Sequence, residues 1–230
     1  ALSNPANATI LDGLATGTII DDEVAPTMSI NSITQNEGVT PMNFTVTLTG
    51  GVDQPVTVDY YTADNSAVAP EDYTAIPAVS TLTIPAGSTT GTIAVTLVDD
   101  LIDEASQNFR VWLTNPAFGI VLTGTGPGRG TGTISDNDAA PTVSAGSPTV
   151  DEAAGTMTFT LTLSGPSQRS PQVTWTTGDV TAASGADYTG GTATVTFGSN
   201  VLTQTVTIPI LEDTIDELDE TFGLNLSTPT

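Results

Sequence analysis

Nearly all the side chains able to do chemistry in this chain are carboxylates. The stretch VDDLIDE, Val98 to Glu104, holds Asp99, Asp100, Asp103 and Glu104, and LEDTIDE, Leu211 to Glu217, comes close to repeating it. There is no His, Cys or Lys, and the three cations are Arg110, Arg129 and Arg169. Without those residue types most nucleophile–base pairs cannot be built. Two carboxylates can hydrolyse a glycoside, but these acids crowd together in loops, so the chain reads as a non-enzyme. A net charge of -23 argues against nucleic acid and anionic lipid as partners, because both need a basic surface. What clustered carboxylates can do is hold a cation. Two like charges about 4 Å apart cost roughly 1 kcal/mol in water and about 4 kcal/mol at an effective dielectric of 20. Hard oxygen donors in flexible loops suit Ca²⁺, whereas Mg²⁺ prefers fewer and keeps its waters.

Internal repetition shows what must position these acids. APT at 25–27 returns at 140–142, NEG at 36–38 aligns with DEA at 151–153, and EDYT at 71–74 aligns with ADYT at 186–189. DDLIDE at 99–104 aligns with EDTIDE at 212–217, and residues 2–26 resemble 113–141. Residues 1–23 therefore read as the last part, strand G, of a preceding repeat. Residues 24–138 read as one full repeat, and 139–230 as another without its own strand G.

The chain is rich in Thr, Val and Ile, which fit a pleated, half-buried surface. Alternation and Gly/Pro punctuation predict strands near 27–33, 42–49, 56–62, 80–84, 92–98, 108–114 and 130–135, lettered A to G. The second repeat gives 156–163, 173–177, 192–197, 203–210 and 220–226. Seven short strands in about 110 residues point to an all-β fold of tandem immunoglobulin-like Greek-key sandwiches. If neighbouring strands run alternately up and down, the A–B, C–D and E–F connections and the end of G share one pole. That pole collects Glu37, then Glu71 and Asp72, then the VDDLIDE acids, then Asp136, Asn137 and Asp138.

Together, NEG, EDYT, VDDLIDEASQNFRVWL and TGTISDND resemble the Calx-β domain over nearly the whole chain, the acidic E–F segment followed by Phe being the most specific part. The resemblance implies a seven-stranded sandwich that binds Ca²⁺ at one tip. It implies side-chain ligands at Glu37, Asp72, Asp99, Asp100, Glu104, Asp136 and Asp138, with the Ile102 carbonyl; within VDDLIDE, Asp103 is the acid expected to face water. The matching set in the last repeat is Glu152, Asp187, Glu212, Asp213 and Glu217, with the Ile215 carbonyl. Glu212 stands where the first repeat has Asp99, and Asn137 stands where the family pattern has an acid.

The acids after strand G lead straight into Ala139, Ala140 and Pro141, a short linker stiffened by proline. The expected role is thus structural: calcium-binding repeats of an extracellular or cell-surface stalk, adhesin or fibre, with Ca²⁺ stiffening the joints. An acidic, Lys-free, Thr-rich chain fits an exported protein. The expected partners are neighbouring repeats or copies of the chain placed head to tail, with no membrane insertion in this segment. Residues 13–23 could supply a strand, and the ligands Asp21, Asp22 and Glu23, to the last repeat of another copy. The other reading is a two-repeat window from a longer repetitive polypeptide. An alternative function is a ligand- or glycan-binding adhesin module, using Tyr60, Tyr61 or Trp112 as a platform.

Overall fold

The computed structural model describes residues 6–20, 22–77, 80–124, 126 and 128–227. Within them the chain forms two β-sandwiches in tandem. The first uses β1 (Thr27–Ile30), β2 (Ile33–Asn36), β3 (Met42–Leu48), β4 (Val56–Ala63), β5 (Ser80–Ile84), β6 (Thr90–Val95), β7 (Gln107–Thr114), β8 (Val121–Leu122) and β9 (Arg129–Ser135). One sheet runs β6-β3-β1-β8 and the other β2-β9-β7-β4-β5. Alternation explains the packing. In β3, Met42, Phe44, Val46 and Leu48 point inward while the residues between them are exposed. The two inner faces close over Phe109, which stacks on Tyr73 at 4.3 Å and meets Phe44 edge-on at 5.9 Å.

Strand A is not the single strand expected at 27–33. It divides: β1 pairs antiparallel with β3 in one sheet, and β2 pairs parallel with β9 in the other. The polar pair Asn31–Ser32 makes the crossing. The Asn31 side chain accepts the Thr45 N–H at 2.8 Å and the Ser32 hydroxyl accepts the Thr131 N–H at 3.0 Å, so backbone groups in both sheets are satisfied at the step. The short β8, parallel to β1, was also unforeseen.

The second sandwich contains β10 (Val143–Ala145), β11 (Thr156–Leu163), β12 (Gln172–Asp179), β13 (Thr192–Thr196), β14 (Thr203–Pro209) and β15 (Phe222–Ser227). Its sheets run β10-β11-β14 and β13-β12-β15. Among the described residues it has no counterpart of β2 or β9, and β15 is paired only with β12. Its aromatic centre copies the first: Tyr188 stacks on Phe222 at 4.1 Å, and Phe159 meets Phe222 edge-on at 5.8 Å.

Candidate metal centre at the joint between the sandwiches

The acid pole of the first sandwich is assembled from four loops. Glu37 leaves β2, Asp72 lies between β4 and β5, Asp99 to Glu104 lie between β6 and β7, and Asp136 and Asp138 follow β9. Local hydrogen bonds hold four of these carboxylates in place. Asp72 accepts the Val68 N–H at 2.6 Å, Asp100 accepts the Ile102 N–H at 2.8 Å, and Asp136 accepts the N–H groups of Glu104 and Asp138 at 3.1 and 3.0 Å. Glu37 accepts the Asn137 N–H at 3.2 Å. Carboxylate oxygens of Glu37, Asp136 and Asp138 lie within 4.8 Å of one another.

The electrostatics are those of crowded anions. The Glu104 carboxyl is pushed up to about 7, first by burial and then by Asp72, Asp100, Glu37 and Asp136. Burial also raises Glu37, Asp72 and Asp138, with neighbouring acids adding to it. Asp136 goes the other way. Burial opposes its charge, but the Asp138 and Glu104 N–H groups and the Arg169 guanidinium outweigh it. One oxygen, Asp138 Oδ2, is buried without a hydrogen-bond partner. A buried carboxylate oxygen left unmatched is costly. An all-oxygen donor set with an unsatisfied member fits a hard divalent cation.

These shifts have a definite sign. A carboxyl whose folded pKa is raised stabilises the fold below its unfolded value, and that contribution is lost as pH rises through the folded value. For Glu104 the window runs from 4.5 to about 7; Glu37, Asp72 and Asp138 act in the same direction and Asp136 against it. In EDTA the first sandwich is therefore expected to melt several degrees lower at pH 8 than at pH 5. Calcium should reverse the order, because it needs the deprotonated acids. Melts by circular dichroism in both buffers check this.

Asp103 corrects the sequence reading. It does not face water: it is 5% exposed and accepts the Ser167 hydroxyl at 2.7 Å. Arg169 Nε lies 2.8 Å from its other oxygen, and Arg169 Nη2 reaches Asp136 at 3.1 Å and also donates to the Glu104 carbonyl. The Asp103 N–H donates to the Pro166 carbonyl at 3.3 Å, and its own carbonyl accepts the Gln168 N–H at 2.9 Å. Pro166 to Arg169 belong to the β11–β12 loop, so the second sandwich grips the acid pole of the first. The sequence held only a faint signal for this contact: Arg169 is one of three cations in the chain, and it sits beside Ser and Gln in a turn.

At the second pole, Asp187, Glu217 and Glu220 bring carboxylate oxygens within 4.8 Å. Burial raises Glu217, with Asp213, Asp187 and Glu152 adding to it. Asp187 accepts the Ala183 N–H and Asp213 the Ile215 N–H, both at 2.6 Å, copying Asp72 and Asp100. Glu220 escaped the sequence reading, yet the alignment that matches Glu104 with Glu217 places Glu220 opposite Gln107. Gln107 donates to Glu104 at 2.7 Å, so the first pole has a neutral donor where the second has another acid. Glu212 is exposed and lies outside the group of three. Asp22 and Glu23 are exposed and belong to neither carboxylate group, while Asp21 lies outside the described residues. The aromatic platform finds little support: Tyr60 packs on the first core, and Arg129 lies over the Trp112 ring at 5.8 Å.

Comparison with known proteins identifies the family. The Calx-beta domain model matches residues 20–138 and 136–230. No match was found among curated proteins. Among solved structures, CBD12 from CALX1.2 is 22% identical, covering 88% of this chain and 80% of that one, with a TM-score of 0.45. The calcium binding domain CBD12 of CALX1.1 is 21% identical over the same shares, with a TM-score of 0.44. The apo-form Calx CBD1 domain is 24% identical, covering 50% of this chain and 100% of its own, with a TM-score of 0.44. With both sandwiches matched, the chain belongs to the Calx-β family and carries two of its domains in tandem.

Proposed function

We propose that this chain is a calcium-stiffened structural segment of an extracellular or cell-surface stalk, adhesin or fibre. One observation carries the reading: the acid pole of the first domain is also the surface gripped by Ser167 and Arg169 of the second. Whatever neutralises that pole also sets the joint. Glu37, Asp72, Asp99, Asp100, Glu104, Asp136 and Asp138, with the Ile102 carbonyl, are the groups assigned to Ca²⁺ there. Glu152, Asp187, Asp213, Glu217 and Glu220, with the Ile215 carbonyl, are assigned to it at the second pole. Calcium supplies the positive charge the pole lacks. The protein's share is to hold the loops in place and to tie Asp103 and Asp136 to the next domain. Without the cation, repulsion spreads the VDDLIDE loop and loosens the Arg169 contact.

The absence of Cys makes a test simple. Spin labels at Thr57→Cys and Thr205→Cys, both exposed, report the distance between the domains. Calcium should give one narrow distribution and EDTA a broad one, with Arg169→Ala broad in both. Equal widths with and without calcium would remove the proposal.

A further inference from the structure

We infer that Asp64 and Asp179, which belong to neither carboxylate group, are positioning residues of the two acid poles: each clamps the loop that presents Asp72 or Asp187 without touching the ion, an inference that rests on the calcium reading. Asp64 directly follows β4 and Asp179 ends β12. In the first domain one oxygen, Asp64 Oδ1, accepts both the Tyr73 hydroxyl at 2.6 Å and the Ala69 N–H at 3.1 Å. In the second, Asp179 Oδ1 accepts the Tyr188 hydroxyl at 2.5 Å and the Ser184 N–H at 3.0 Å. Each tyrosine lies nine residues after its aspartate and directly follows the assigned ligand.

The tyrosine is the fixed point of this arrangement. Tyr73 and Tyr188 are each 1% exposed, and their rings stack on Phe109 and Phe222 at 4.3 and 4.1 Å. The core holds the ring, and the hydroxyl, which needs a partner once buried, ties the loop back to the end of its strand. The neighbouring ligand inherits that geometry. Asp72 accepts the Val68 N–H at 2.6 Å, and its own N–H donates to the Val68 carbonyl at 2.9 Å. The Asp72 carbonyl accepts the Val98 N–H at 3.0 Å, one residue before Asp99. The clamp therefore bears on two ligand-carrying segments at once. The second domain repeats it: Asp187 bonds Ala183 through side chain and backbone at 2.6 and 3.0 Å, and its carbonyl accepts the Leu211 N–H at 2.9 Å.

The two loops share little else. ADNSAVAPEDYT (63–74) and GDVTAASGADYT (178–189) agree at five of twelve positions, and three of the five are the two Asp and the Tyr of this clamp. A fourth, Ala67 or Ala182, is buried and donates its N–H to the Asn108 or Thr221 carbonyl at 2.9 or 3.0 Å, pinning the middle of the loop. The like charges around each ligand explain why the loop must be held. Asp100 and Glu71 press on Asp72, and Asp187 presses on Glu217 and Glu220. A loop left free would swing its acid outward, and calcium would have to draw it back. Holding it beforehand removes that ordering cost from binding. Asp64 also adds its own charge to the field at Asp72, so bond and charge have to be separated by experiment.

The test is calcium titration calorimetry of the full chain, at a temperature where circular dichroism shows each calcium-free variant folded. Asp64→Ala should weaken the first-pole affinity about 10–100-fold and leave the second-pole heat unchanged, and Asp179→Ala should do the reverse. Asp64→Asn keeps an oxygen that can accept both bonds and removes the charge, so it should stay within about twofold of the parent. Tyr73→Phe keeps the ring stack and loses the hydroxyl. It should weaken the first-pole affinity about two- to tenfold, and it carries the test if Asp64→Ala does not fold. A role in stability alone would lower the calcium-free melting point and leave the first-pole affinity unchanged in both variants, which overturns the inference. An Asp64→Asn as weak as Asp64→Ala also overturns it, because the charge or a direct bond to the ion would then be what counts. No calcium heat in the parent removes the calcium reading together with this inference, whereas a parental heat that both variants leave unchanged removes the inference alone.

Discussion

Calcium should raise the melting temperature of the first domain by roughly 12–24 °C over its value in EDTA. The size follows from linkage. A ligand at about a thousand times its Kd adds about 4 kcal/mol to the native state, and each kcal/mol moves the melting point of a domain this small by roughly 3–6 °C. The need for the cation is visible in the pole. Glu104 and Glu37 are buried among like charges that raise them, and Asp138 Oδ2 is buried without a partner. Arg169 offsets part of this, but among the described carboxylates it pairs only with Asp103 and Asp136. Magnesium should give a smaller shift at equal concentration, because it dehydrates reluctantly and asks for fewer protein oxygens. Differential scanning calorimetry in calcium, magnesium and EDTA measures all three.

Phe109→Ala should cost the first domain about 3–5 kcal/mol, the range for deleting a fully buried aromatic. Phe109 is 0% exposed and lies between Tyr73 and Phe44 under Gly132, so no neighbour can collapse into the hole without moving a strand. The equivalent Phe222→Ala should cost clearly less in an isolated chain, because Phe222 keeps its stack on Tyr188 but has an open cavity on its other side. Urea unfolding followed by tryptophan fluorescence separates the two, since Trp112 reports the first domain and Trp175 the second. Equal losses at both positions would contradict the account of β15 as an edge missing its neighbour.

Strands B to G of the first domain were legible because each alternates with period two and is bounded by Gly or Pro, as Met42–Leu48 shows most clearly. The position of the acid pole was legible for the same reason: once the strands are ordered, their loops can only gather at one end or the other. The break in strand A was not, because Asn31–Ser32 carries no breaker and its side chains act only when the second sheet is present to bond. Asp103 could not be distinguished from its acidic neighbours, since its burial comes from Ser167 and Arg169 more than sixty residues away. Glu220 was passed over because it lies in strand F by pattern, yet in the fold it precedes β15 and joins Asp187 and Glu217.

The central claim is that the VDDLIDE carboxylates hold calcium at the joint. Isothermal titration of the calcium-stripped chain with calcium, beside the same titration of the Asp99→Ala/Asp100→Ala variant, tests it most directly. The account predicts a saturable heat in the parent chain. In the variant the part belonging to the first pole should be lost, while the part belonging to Asp187, Glu217 and Glu220 stays. An unchanged heat in the variant, or no heat in the parent, would contradict it.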